Sequence, residues 1–284
     1  MSDWQAWIGR EERRADRLDP ALAARWCAAF DLPPPAPGAA MPQGSHFCLC
    51  TPDAPTATLG EDGHPARDDS PDSFLPPVPL ARRMWASSAI EFHAPIAVGA
   101  AIERVSRVAS IAAKEGRSGP MVFVEVAHET AADGVSAVRE VQTLVYREAA
   151  APNAPLSPPP SDEGAFDPAG WDAHRVVQPD PRVLFRYSAL TFNTHRIHYD
   201  TPYAEEVERY RGLVVHGPLT ASLLLQLAAQ ELGDNALASF AFRGMSPAIA
   251  GEPLHLAMKR KDGAIELAAF ARDGRQAMQA TARA

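Results

Sequence analysis

Cysteine is scarce in this chain: Cys27, Cys48 and Cys50 are the three among 284 residues. Cys48 and Cys50 form a lone C-x-C with no second half, which points to neither a zinc ribbon nor a disulfide scaffold; idle thiols in a reducing compartment are expected. Long apolar runs are missing too. No stretch approaches the length of a bilayer span, and MSDWQAWIGREERRADRL at the start lacks the apolar core of a secretory leader. The expectation is a cytoplasmic protein with no membrane partner. Basic charge is not in excess either: 27 Lys and Arg against 35 Asp and Glu give a net charge of −8. That disfavours a general nucleic-acid surface and leaves room only for a local basic patch.

What is present is an ordinary globular composition, 46% hydrophobic and 22% charged, long enough for two domains. Asp19 and Pro20 make a helix start, and Leu22, Trp26 and Phe30 recur at helical spacing, so a helix is predicted from Pro20 to Phe30. DLPPPAPGAAMP then ends the periodicity. Thr51 to Ser73, rich in Pro, Asp, Gly and Ser, reads as a long exposed excursion. Strands are predicted over Arg83 to Pro95, Ala100 to Ala112, Met121 to Ala127 and Val135 to Tyr146. The last two are joined through the hairpin signal Asp133-Gly134.

The proline-rich AAAPNAPLSPPPSDEG, Ala149 to Gly164, reads as a linker. The division drawn from it is 1–148, a linker over 149–180, and 181–284. In the second part Arg182 to Thr191 alternates like a strand. Leu237 to Arg243, Pro253 to Lys259, Ala264 to Ala271 and Gln276 to Ala282 are further strands, with Asp262-Gly263 and Asp273-Gly274 as turns. Helix followed by antiparallel strands occurs twice, which reads as a diverged duplication whose copies join edge to edge in one sheet.

Chemistry-bearing residues gather between Phe192 and Gln230. A polar loop carries Asn193, His195, Arg196 and His198. A charged helix over Thr201 to Tyr210 follows, then the turn His216-Gly217-Pro218, then an apolar run from Leu219 to Ala229. Proline in the first helical turn suits a helix start there, and apolar residues on nearly every face predict a helix surrounded by the sheet.

Asn193-Thr194-His195-Arg196-Ile197-His198 resembles the D-x-N-P-x-H motif of the MaoC-like dehydratases, which include the (R)-specific enoyl-CoA hydratases. His216-Gly217 resembles the family's H-G turn. Phe192 to Asp200 and Phe74 to Trp85 are similar to patterns of the 3-methylfumaryl-CoA (mesaconyl-C4-CoA) hydratases and 3-hydroxyacyl-thioester dehydratases, and the likeness runs nearly the length of the chain. The resemblance implies an α+β double hot-dog fold, a non-catalytic first domain, a catalytic second one, and hydro-lyase chemistry on an acyl-CoA thioester. Coenzyme A then enters as part of the substrate, no separate cofactor or metal is expected, and a homo-oligomer is left open. His198 falls on the catalytic histidine, Gly217 on the thioester-oxygen donor, and Asn193 on the catalytic aspartate, a departure from the family.

The physical reading of these residues runs alongside. Hydration of an enoyl thioester builds negative charge on the carbonyl oxygen, which the free N–H of Gly217 at a helix start can receive, since Pro218 has none. His198 has an ordinary pKa of about 6.5, suited to a general base. Asn193 orients water or braces the loop through an Asx turn. Arg196 either clamps a substrate carboxylate or makes an ordinary ion pair. His195 and His216 are placed with the substrate, His216 also supporting the turn, and Asp200 with the loop. The trio His195, His198 and His216 raises a metal site that lacks a carboxylate partner. Arg82, Arg83, Lys259, Arg260 and Lys261 are candidates for coenzyme phosphates, or else charged strand ends. The rivals are a dehydratase of fatty-acid or polyketide thioesters, separable by substrates with and without a terminal carboxylate, and an idle acyl-CoA binder, separable by His198→Ala.

Overall fold

The computed structural model describes residues 4–116, 119–159 and 164–284. The first half comprises β1 (Glu11–Arg17), α1 (Pro20–Ala29), β2 (Arg82–Phe92), β3 (Ala101–Gly116), β4 (Gly119–Ala132) and β5 (Val135–Arg147). The second comprises β6 (Ala173–Val177), α2 (Pro181–Thr191), α3 (Gly217–Leu232), β7 (Ser239–Gly244), β8 (Leu254–Lys261), β9 (Ala264–Ala271) and β10 (Gln276–Arg283). All ten strands form one sheet in the order β1-β3-β4-β5-β2-β7-β10-β9-β8-β6, and every pairing is antiparallel. Counted inward from its outer edge, each half repeats one topology: β1-β3-β4-β5-β2 and β6-β8-β9-β10-β7. The equivalent strands β2 and β7 meet in the middle, Ala89 opposite Ala241. The predicted duplication and its edge-to-edge junction are therefore present.

Turn chemistry sets the hairpins. Asp133-Gly134 and Asp262-Gly263 each place both residues at positive φ, the geometry that matches the twist of the strands they join. Both halves also open their first helix alike. Asp19 and Asp180 each cap two backbone N–H groups, and Pro20 and Pro181 follow in the first turn. The two helices pack together, with the Phe30 and Tyr187 rings 6.3 Å apart.

Three expectations need correction. Arg182 to Thr191 is the helix α2, not a strand: Leu184, Tyr187 and Leu190 recur every three residues and are its buried face. The stretch 149–180 is not linker throughout, because it ends in β6, which pairs with β8 along Ala173 to Val177; Pro160 to Glu163 lie outside the described residues. The charged helix expected from Thr201 to Tyr210 is confined to one wide π-helical turn, Tyr203–Val207, and its start. β1 carries no sequence signal: EERRADR offers no apolar alternation because it is a largely solvated edge strand.

The central helix exists once. Every residue of α3 from Leu219 to Ala228 is buried, and the helix packs on β8, β9 and β10. The counterpart of α1 is α2, so nothing of that length stands in the first half where α3 stands in the second. Two 3-10 turns, Ser45–Cys48 and Thr56–Thr58, stand there in chain order; the first packs on α2, and Gly44 just before it lies against Ser222 and Leu225 of α3. Among the described residues, no helix is long and apolar enough to cross a membrane.

Candidate active site

A cavity of about 1100 Å³ opens between the halves. Trp85, Tyr146 and Arg83 line it from the first half, and Asn193, His198 and Gly217 from the second.

His198 ends a 3-10 turn, Arg196–His198, and is buried. Its Nδ1 lies 2.7 Å from the Val214 carbonyl oxygen. A carbonyl only accepts, so Nδ1 carries the proton and Nε2 keeps its lone pair. Burial first, and the neighbouring His195 second, push its pKa down to about 3, against the Val214 hydrogen bond that raises it. The ring is therefore neutral at physiological pH, well below the value of 6.5 expected from its type.

The His216 ring stacks on His198 with centroids 3.6 Å apart and planes 18° from parallel. Its Nε2 is 2.9 Å from the Ser188 hydroxyl of α2, and burial holds it neutral as well. Next in the chain, Gly217 opens α3, where the first N–H groups have no intrahelical partner and meet the positive end of the helix dipole. A Cβ placed on Gly217 would meet nothing within 4 Å. The residue faces open space, so glycine serves access to the backbone here rather than an unusual dihedral.

Phe192 ends α2 in the left-handed region at φ 49°, which turns the chain into the loop. The Asn193 Oδ1 then accepts the His195 backbone N–H at 3.0 Å, the Asx brace foreseen as one of its two roles. His195 is buried and neutral, its pKa pushed to about 3 by burial and then by His64. Arg196 turns off the cavity. It pairs with Asp200 at 2.8 Å, donates to the Glu61 carbonyl at 3.1 Å and lies over the Tyr203 ring. Of its two foreseen roles, the structure has the ion pair. The histidine trio does not converge on a point, since His198 and His216 lie face to face with one nitrogen of each already bound.

The largest departure from expectation is the excursion. Part of it, Asp62 to His64, lies against the Asn193–His198 loop. The Thr194 hydroxyl donates to the Gly63 carbonyl at 2.5 Å, and the Arg196 N–H donates to the Asp62 carbonyl at 2.9 Å. The His64 ring lies against that of His195, centroids 4.1 Å apart and planes tilted by 39°, and hydrogen-bonds Asp62 at 2.9 Å. Burial pushes the Asp62 pKa up, but the hydrogen bond and charge of His64 outweigh it and hold it at about 2. Donor atoms of Asp62, His64 and His195 all fall within 4.8 Å of one another, close enough to share an ion. Nothing local in a Pro- and Gly-rich loop announces this beyond the short run Asp62-Gly63-His64.

Of the five basic candidates, Arg83 alone lines the cavity. Arg82 pairs with Glu208, and Lys259 and Lys261 with Glu266. Arg260 reaches the Glu231 carbonyl. The three thiols are free and buried.

The model of the hydroxyacyl-thioester dehydratase type 2 family matches residues 44–250. Mesaconyl-C(4)-CoA hydratase of Chloroflexus aurantiacus is 42% identical over 282 residues, covering 99% of this chain and 97% of that one. The crystal structure of HtdX from Mycobacterium tuberculosis is similar with a TM-score of 0.69 at 21% identity, covering 96% of this chain and 99% of that chain. A second protein of that organism, described as having a double hot-dog fold, is similar at 0.59 and 14%, covering 97% and 95%. At such identities these structures speak for the fold alone, and the fold they share with this chain is the expected double hot-dog.

Proposed function

Because the chain belongs to the hydroxyacyl-thioester dehydratase type 2 family, and is a hydro-lyase acting on enoyl thioesters, we propose that it hydrates 3-methylfumaryl-CoA or a related branched, carboxylated enoyl-CoA, with His198 and Gly217 at the reacting atoms. The observation that carries the reading is the His198–Val214 hydrogen bond. It fixes the tautomer that leaves Nε2 as a base, in the same cavity as the open backbone of Gly217.

In the forward direction, Nε2 of His198 takes a proton from water as its oxygen bonds to the β-carbon. The π electrons move toward the thioester carbonyl, and the oxygen gathers negative charge against the Gly217 N–H. The enolate then takes a proton at its α-carbon from the His198 imidazolium, directly or through the water relay, and the base is restored. Dehydration runs the same steps backwards. That enolate charge stabilises the imidazolium as it forms, which offsets the low resting pKa of His198. Asn193 cannot exchange a proton as a carboxylate does; its part is to hold His195 and the loop in place. The first half supplies cavity wall rather than a second set of reacting groups, in keeping with a non-catalytic domain ahead of a catalytic one.

Purified protein is to be tested against enoyl-CoA and 3-hydroxyacyl-CoA thioesters. Turnover of the branched, carboxylated compound, lost in His198→Ala, supports the proposal. Faster turnover of straight-chain thioesters would move the substrate to fatty-acid or polyketide metabolism.

A further inference from the structure

Arg82 and Arg83 are neighbours on β2 and project from opposite faces of the strand. Arg82 is buried and paired with Glu208 at 2.5 Å. Arg83 lines the cavity, half-buried, and among the described residues it makes no ion pair with a carboxylate. Its charge is felt at His195. A guanidinium that faces the cavity with the Tyr146 hydroxyl beside it, and no carboxylate among the described residues, has donors left over, and its planar fork is suited to a carboxylate.

A second donor lines the same cavity. It is His64, its Nδ1 held by Asp62 at 2.9 Å, so Nε2 is the atom left for a ligand. Its ring rests 4.1 Å from His195, and His195 is 5.6 Å from His198. In 3-methylfumaryl-CoA the free carboxylate is bonded to the β-carbon, the carbon that receives water. An anion receptor for that group must therefore stand near the base; His64 is connected to His198 through His195, and Arg83 is near enough to His195 for its charge to act there. Arg196, the other cation of the loop, is taken by Asp200.

We propose that Arg83 and His64, both supplied by the first half, form the receptor for the free carboxylate of the acyl group. The assignment rests on the carboxylated substrate proposed above. Arg83 provides the fixed charge. His64 provides direction: Asp62 holds one nitrogen of the ring and leaves the other for the substrate carboxylate. The first half then selects the substrate that the second half transforms.

The test compares kcat/KM for 3-methylfumaryl-CoA with that for 3-methylcrotonyl-CoA, in which a methyl group replaces the carboxylate. Wild type is expected to prefer the carboxylated thioester, and Arg83→Gln and His64→Gln each to lower that ratio about ten- to a hundredfold. Arg83→Lys is expected to recover part of it. An intact wild-type preference that neither variant changes overturns the receptor and leaves the substrate reading standing. A wild type with no preference overturns both. Equal losses on both substrates overturn the receptor in favour of coenzyme phosphates, and pantetheine thioesters lacking the nucleotide identify that case, since the variants would then match wild type on them. Melting temperatures control for folding, and if His64→Gln does not fold, the Arg83 pair decides.

Discussion

Nδ1 of His198 lies 2.7 Å from the carbonyl oxygen of Val214, the residue two places before His216. One hydrogen bond thus ties the Asn193–His198 loop to the segment entering the central helix and assigns the imidazole its tautomer. His198→Asn keeps a donor near the Nδ1 position and removes the base. Its melting temperature is expected to stay near that of wild type while kcat falls about 10²- to 10⁴-fold. Steady-state hydration assays read the second effect and thermal unfolding the first. Retained turnover would remove His198 from the mechanism.

Gly217→Ala separates stability from activity in the opposite sense. The position is helical and its Cβ would meet no neighbour, so the fold tolerates alanine and gains up to about 1 kcal/mol of helix propensity. The methyl group nevertheless enters the space where the thioester oxygen must reach the backbone. Loss of that contact is expected to cost about 2.7–4 kcal/mol in the barrier, a hundredfold or more in kcat. A variant at least as stable as wild type and nearly inactive is the expected result.

Several residues that the structure brings to the cavity were legible as candidates because their signals are local. His198, Gly217 and the capped start of α1 are short patterns, and Asp-Gly turns announce their own hairpins. Elements whose identity depends on distant partners were not. β1 and β6 are edge strands with few buried side chains, so no alternation marks them. In α2 the alternation of Val183, Phe185 and Tyr187 imitated a strand, although Asp180-Pro181 repeats the start signal of Asp19-Pro20; Phe185 is in fact exposed. Asp62 and His64 were invisible for the same reason, their meaning coming from His195, more than a hundred residues away.

Acid should destabilise this protein early. Burial pushes His46, His195 and His198 down to about 3 and His128 to about 4, and holds His216 well below its ordinary value. For these groups the unfolded chain binds the proton and the folded one does not. Each therefore removes stability as pH falls below about 6.5, at about 1.4 kcal/mol per pH unit. Glu140 works the other way: burial raises it to about 7, against a hydrogen bond from Ser88, so the folded state holds its proton first. Five groups outweigh one, and chemical denaturation between pH 7 and 4 should show stability falling by a few kcal/mol per unit. Over the range where the fold survives, kcat should show no protonation step near 6.5, since His198 remains neutral there.

Gly63→Ala tests the excursion without altering any group that reacts. Gly63 sits at φ 87°, and a Cβ there would collide with the Thr194 carbonyl, so alanine is opposed by both backbone and neighbour. The segment must move off the loop, breaking the Thr194 hydroxyl bond to the Gly63 carbonyl and the Arg196 N–H bond to the Asp62 carbonyl. His64 would leave His195, while the His198–Val214 and Asn193–His195 bonds, made within the second half, would remain. The expected outcome is a folded protein with a lower melting temperature and a kcat/KM reduced at least about tenfold, a misplacement effect of the size that small shifts in an active site produce. Faster amide hydrogen exchange should appear over residues 58–66 and 193–196, with β7 to β10 unchanged. Wild-type kinetics in this variant would mean that the excursion covers the site without shaping it.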